Sequence, residues 1–194
     1  SMIRNICLIG LPTSGKTTIG KKLFQHLNMG FIDTDELIKQ KYNSELPDLI
    51  SKYGRERFLD IEMETITSLK HANVVLATGG SVIYREKSMD HLKSVLKNDM
   101  YHLFISKNEF KKRMKQSPLR GIISKPGQSL DELYNERLRL YDDQCDYIIN
   151  VNQTVNLNLN LFKTYEYWKQ STPPFIMYMN KHKFGNSSYP CPPL

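Results

Sequence analysis

Asn5-Ile6-Cys7-Leu8-Ile9-Gly10-Leu11-Pro12-Thr13-Ser14-Gly15-Lys16-Thr17-Thr18 is the stretch that decides the fold. Asn5 to Ile9 are mostly apolar and partly β-branched, which predicts a buried strand. Gly10 to Thr17 then satisfy G-x-x-x-x-G-K-[ST] without a mismatch, the pattern of a phosphate-binding loop. The two glycines let the backbone wrap an anion with its N–H groups pointing inward. Lys16 has the reach for β- and γ-phosphates, and the Thr17 hydroxyl is placed for Mg²⁺. A helix directly after the loop aims its unpaired N–H groups and its dipole at the same anion. A strand before and a helix after are the context that separates this motif from a chance glycine loop.

Working outward, the chain alternates strand and helix. Ile19, Leu23, Phe24 and Leu27 have helical spacing, and Asn28-Met29-Gly30 stops that helix. Short strands are predicted at 31–32, 73–77, 101–105 and 147–151. Helices are predicted over 36–42, 46–53, 55–69, 85–96, 108–115, 130–144 and 157–170, with a break at Gly54 and an N-cap at Ser129. Such alternation argues for a parallel sheet covered by helices on both faces. The 118–128 stretch has two glycines and two prolines and reads as a mobile loop. From Ser171 to Leu194 the pattern changes to a Pro-rich extension, expected to be extended or flexible apart from Phe175 to Met179, which is apolar enough to pack on the domain or on a second chain.

Composition narrows the class. The 194 residues favour one domain, placed at 1–170, and no apolar run approaches the roughly 20 residues of a membrane span. Three dispersed cysteines, Cys7, Cys145 and Cys191, suit a reducing compartment, so a cytoplasmic monomer is expected. Ser1 ahead of Met2 reads as a cloning remnant, and a removed transit peptide stays open. The net charge of +7 suits anionic ligands, and because the lysines are scattered, nucleic acid and membrane are not expected partners.

Two further clusters carry chemistry. Asp33-Thr34-Asp35 closes the second strand, at the sheet edge where such folds bind ligands. Two carboxylates two apart on a strand share a face, so one can hold hydrated Mg²⁺ and the other accept a proton. An N-cap role is the alternative. Thr78-Gly79-Gly80-Ser81 closes the third strand, either as bare backbone against a substrate or as an ordinary turn. Arg113, Arg120 and Arg137 are either solvated surface arginines or the cations of a closing lid.

Taken in order, the phosphate loop, Asp33-Thr34-Asp35, Gly54…Phe58…Glu62, Ala77-Thr78-Gly79-Gly80 and Glu136-Arg137…Leu140-Tyr141 resemble shikimate kinase over about residues 4–152. The resemblance implies a three-layer α/β/α P-loop kinase fold with a five-stranded parallel sheet. It also implies transfer of the ATP γ-phosphate to the 3-hydroxyl of shikimate. ATP contacts would come from Leu11, Pro12, Thr13, Ser14, Gly15, Lys16, Thr17 and Thr18 with Arg113 and Arg120, and Mg²⁺ contacts from Thr17 and Asp33. Lys16, Asp35 and Arg120 would be catalytic, with the lid at about 113–128. Ser117-Pro118-Leu119 is a rival alignment for the lid motif, but it leaves no arginine in place. Substrate contacts are expected from Asp35, Arg55, Leu59, Glu62, Gly79, Gly80, Ser81 and Arg137.

The departures matter. Leu59 stands where the family has a carboxylate-binding arginine, Arg55 where it has a glutamate, Ser81 for a third glycine and Gly121 for the lid proline. Arg55 lies one helical turn before Leu59, so it is expected to supply the missing cation, with Arg137 as the second. The alternatives are a P-loop kinase for another small hydroxylated metabolite and a non-catalytic binding protein.

Overall fold

The computed structural model describes residues 5–117, 121–152, 159–162 and 177–179. The expected strands form β1 (Asn5–Ile9), β2 (Gly30–Asp33), β3 (Val74–Ala77), β4 (Asn98–Phe104) and β5 (Tyr147–Asn150), all parallel. β6 (Met177–Met179) adds an antiparallel edge strand on β5, so the order is β2-β3-β1-β4-β5-β6. This seats three residues of the apolar tail segment on the domain. The boundary placed near residue 170 falls on residues outside the described ones.

Central β1 is fully buried because helices cover both faces of the sheet, which is why it reads as an unbroken apolar run. It pairs Ile6 with Val75 on one side and Leu8 with Tyr101 on the other. α1 (Lys16–Leu27) buries Ile19 and Leu23 and ends at Asn28 in the left-handed conformation. α2 (Thr34–Tyr42) follows β2 with no loop, because Asp33 caps it. α3 (Leu46–Thr67) is broken at Gly54, whose φ of 80° and ψ of 172° no helix contains. The break fell where glycine predicted it.

The helix expected over 85–96 is present as one continuous helical run from Glu86 to Val95, whose second half is wound as a π-helix. A 3₁₀ turn (Val82–Tyr84) precedes α4 (Glu86–Asp90), and a π-turn (His91–Val95) completes the run. Arg85 is extended and separates the 3₁₀ turn from the helix, which therefore starts at Glu86. α5 (Lys107–Gln116) and α6 (Leu130–Gln144) start at Ser106 and Ser129, whose hydroxyls accept the N–H of Glu109 and Glu132. Of the helix expected over 157–170, only a 3₁₀ turn (Leu159–Phe162) lies within the described residues, where Tyr101 donates to the Phe162 carbonyl at 3.2 Å.

Three strand ends therefore converge. β1 delivers the phosphate loop, β2 the Asp33–Asp35 turn and β3 the Thr78–Ser81 turn, all at the carboxyl edge of the sheet.

Candidate active site

A cleft of about 700 Å³ opens along that edge, lined by Pro12, Thr13, Gly15, Lys16, Thr17 and Thr18 on one wall. Gly15 takes a φ of 91° and starts α1 without a side-chain cap, so the helix's first N–H groups face the cleft. Lys16 is largely buried and donates to the carbonyls of Gly10 (2.7 Å) and Leu11 (2.8 Å). Leu11 and Ser14 are buried behind the loop rather than lining it. Arg113 closes this end, donating to the Thr13 carbonyl at 2.8 Å and pairing with Glu109 at 2.9 Å. Arg120 lies outside the described residues.

The two aspartates reach the cleft by a route that strand periodicity did not predict. Asp33 ends β2, but Asp35 is already in the first turn of α2. Asp33 caps that helix, accepting the N–H groups of Asp35 (3.0 Å) and Glu36 (3.2 Å) through Oδ1. The N-cap alternative thus applies to Asp33, and the helical turn, not a shared strand face, points Asp35 inward. The other Asp33 oxygen accepts the Thr17 hydroxyl at 2.6 Å. Two oxygen ligands side by side in an open cleft suit a hard cation that keeps most of its waters.

Asp35 sits against Gly79. A Cβ built on Gly79 would lie 2.6 Å from Asp35 Oδ1 and 2.6 Å from Glu62 Oε2, so the bare backbone fits between two carboxyl groups. Burial, and then the neighbouring Asp33, push Asp35 up to about 6 against the pull of Lys16. Glu62 is buried behind it and pushed to about 8 by burial and by Asp35, although the Ser81 hydroxyl donates to it at 3.0 Å. Near neutral pH Glu62 is therefore protonated, while Asp35 is largely ionised and basic enough to take a proton.

α6 supplies the far wall. Its buried face carries Tyr134, Arg137 and Tyr141. The Tyr141 hydroxyl donates to the Gly80 carbonyl at 2.6 Å, and a Gly80 Cβ would fall 2.9 Å from Arg137 Nη1. Arg137 also donates to the Ile123 carbonyl. That bond ties the far end of the lid region to the cleft, where Gly121 packs against Pro47 at the start of α3.

Most of the residues singled out in the sequence meet here: the phosphate loop, Asp33, Asp35, Gly79, Gly80, Ser81, Arg113 and Arg137. Glu62 stands behind them. Leu59 and Arg55 do not line the cleft. Leu59 is fully buried in an apolar cluster with Ile38, Leu49, Phe58, Ile61 and Ile123. Arg55 pairs with Glu56 and lays its guanidinium over the Tyr84 ring. Sequence reading missed Lys39, which lines the cleft and pairs with Glu36 and Glu45. Its position four residues after Asp35 was the available signal.

A phosphate loop at the C-terminal end of a central parallel strand, facing a half-buried carboxylate across a small-molecule cleft, defines a P-loop phosphotransferase. The shikimate kinase family model matches residues 12–165. A shikimate kinase of Thermodesulfovibrio yellowstonii is 34% identical over 151 residues, covering 76% of this chain and 86% of that protein. One from Clostridium botulinum is 32% identical over 171 residues, covering 86% of this chain and 99% of its own length. Among solved structures, a shikimate kinase from Acinetobacter baumannii in complex with shikimate is 31% identical and superposes with a TM-score of 0.66 over 78% of this chain and 86% of that one. One from Aquifex aeolicus is 28% identical with a TM-score of 0.64, over 77% and 88%. The chain belongs to the shikimate kinase family.

Proposed function

We propose that this protein transfers the γ-phosphoryl group of ATP to the 3-hydroxyl of shikimate, giving shikimate 3-phosphate and ADP. The observation that carries this reading is the half-buried Asp35 carboxylate in the same cleft as the Lys16 loop, with the Arg137 guanidinium on the wall that Gly80 shares. Family membership, and a relative whose structure holds shikimate, support the substrate.

In this reading, the loop N–H groups and the start of α1 hold the ATP phosphates. Lys16 follows the charge that develops between the β- and γ-phosphates. Thr17 and Asp33 would hold Mg²⁺, which would neutralise phosphate charge. Asp35 accepts the proton of the attacking hydroxyl, and the phosphate-loop side presents the γ-phosphorus in line with it. Arg137 binds the substrate carboxylate. Arg113 and Arg120 close over the nucleotide, which excludes water and so limits ATP hydrolysis. A cytoplasmic monomer fits two observations. Cys7 and Cys145 are buried and not disulfide-bonded. The described large apolar residues that are exposed, Tyr53, Val95 and Leu130, are scattered singly. Among the described residues, no helix is long and apolar enough to cross a membrane.

One observation favours a second reading, a kinase for another hydroxylated metabolite: the buried Leu59 removes a cation from the family's carboxylate site. ADP release measured with shikimate and with a panel of sugars and polyols separates the two. A kcat/KM for shikimate at least about 100-fold above every other acceptor is expected. A polyol preferred over shikimate would favour the second reading.

A further inference from the structure

β4 and the end of α6 bring together three metal-ligating side chains that the cleft does not use. His102 lies on β4, Asp142 in the last turn of α6 and Cys145 at its C-cap. None of them lines the cleft. One ligand atom from each lies within 4.8 Å of the others, and among the described residues this is the one such cluster. His102 Nδ1 and Asp142 Oδ1 are 3.0 Å apart, and the Cys145 thiol donates to the Asp142 carbonyl at 3.7 Å. The i, i+3 spacing of Asp142 and Cys145 keeps both on one side of the helix end, beside the β4 histidine.

Burial, donor set and charge all favour a cation there. His102 and Cys145 are 1% and 2% exposed, while Asp142 reaches solvent and leaves a way in. Cys145 is not disulfide-bonded. His102 Nε2 is buried without a hydrogen-bond partner, so no contact on that side fixes the tautomer, and Nδ1 can present its lone pair. Metal bonds of about 2.0–2.3 Å at a tetrahedral angle hold donor atoms about 3.4–3.6 Å apart. The 3.0 Å pair and the 4.8 Å limit bracket that spacing, so shifts of about 1 Å close the site. Neutral imidazole, carboxylate and thiolate together carry two negative charges, which a divalent cation cancels, so no net charge is buried.

We propose that His102, Asp142 and Cys145 form a binding site for a thiophilic divalent cation of the Zn²⁺ class, with water as the fourth ligand on the Asp142 side. Imidazole, carboxylate and thiolate suit Zn²⁺ and do not suit Mg²⁺, which takes oxygen ligands in an octahedron. On binding, the Cys145 thiol proton leaves to solvent, the imidazole keeps its proton on Nε2, and the His102–Asp142 hydrogen bond gives way to two bonds to the metal. The ion pins the end of α6 to β4. Asp142 follows Tyr141, whose ring lies 5.0 Å from that of His102 and whose hydroxyl holds the Gly80 carbonyl at 2.6 Å. The site thus steadies, from behind, the helix that carries Arg137 into the cleft.

The test titrates the full-length protein with Co²⁺, a spectroscopic stand-in for Zn²⁺, in excess Mg²⁺ to fill sites built from oxygen ligands such as Thr17 and Asp33. The expected result is a single equivalent bound with the visible intensity of a tetrahedral ion and a thiolate-to-cobalt charge-transfer band, all displaced by Zn²⁺. Cys145→Ala abolishes the band and weakens binding at least about 100-fold, and Asp142→Asn weakens it at least about 10-fold. Cys145→Ala retains Cys7 and Cys191, so a band arising from those would survive it. Zn²⁺ at about 100 times its Kd raises the Tm by about 5–10 °C in the wild type and leaves Cys145→Ala unmoved. Circular dichroism checks that the variants fold. Should Cys145→Ala fail to fold, Asp142→Asn, altered at a partly exposed side chain, and the wild-type Tm shift carry the test. A wild type without the thiolate band, a full band in Cys145→Ala, or wild-type affinity in Asp142→Asn would overturn the proposal.

Discussion

Gly79→Ala probes the geometry on which the proposed chemistry depends. The added methyl carbon would sit 2.6 Å from Asp35 Oδ1 and 2.6 Å from Glu62 Oε2, whereas ordinary contact begins at 3.4 Å, so about 0.8 Å must be found on each side. Neither side gives easily. Asp35 lies in a helical turn fixed by the Asp33 cap, and Glu62 is buried and held by Ser81. Overpacking of this kind costs about 1–3 kcal/mol of stability. A displacement near 1 Å at a reacting group costs on the order of 100-fold in rate. The expected result is a kcat for shikimate reduced about 10- to 100-fold, with the KM for ATP unchanged because the phosphate loop is untouched. A coupled assay of ADP release measures both, with circular dichroism as a check on folding. A folded Gly79→Ala enzyme with wild-type kcat would show that Asp35 and Glu62 are not held where the reasoning needs them.

Lys16→Ala should lower kcat by at least about 100-fold, measured as ADP release at saturating ATP; near-normal turnover would remove the phosphate loop from the chemistry. Asp35→Asn should reduce kcat strongly with nucleotide binding intact, whereas Asp33→Asn should chiefly raise the Mg²⁺ concentration needed for half-maximal rate, and the reverse pattern would exchange their roles. Glu62 gives a stability signature. Its carboxyl keeps its proton up to about pH 8 when folded but loses it near the ordinary glutamate value of 4.5 when unfolded, so the folded state binds more protons between those values and stability falls as pH rises through them. Glu62→Gln removes that loss, so the Tm of the variant minus that of the wild type should be more positive at pH 8 than at pH 5. A difference that stays flat with pH would mean Glu62 is ionised in the fold.

The fold was legible because its signals were local. An apolar strand, a mismatch-free phosphate loop and strand–helix alternation suffice for five parallel strands. Gly54 and Ser129 marked a break and a cap because their conformational and hydrogen-bonding roles belong to the residue itself. Where the reading failed, the cause was tertiary. Asp35 was assigned a strand face because nothing local says that the Asp33 side chain caps a helix at once. The 85–96 segment is helical as its spacing predicts, but the switch from α to π winding at His91 carries no local signal. Arg55 was expected in the cleft from its helical offset alone, but its direction depends on Tyr84, 29 positions later and across the fold. Lys39 shares a helix face with Asp35, but helical spacing alone does not separate a cleft lysine from a solvated one.

The most direct measurement of the central claim is the position of the transferred phosphate. Wild-type protein is incubated with ATP, Mg²⁺ and shikimate, and the product is examined by ¹H–³¹P correlation. A single new phosphorus signal coupled to the proton on carbon 3, formed in step with ADP and lost in Asp35→Asn, is the predicted result. A phosphorus on another hydroxyl, or ADP released with the phosphate left in water, would contradict it.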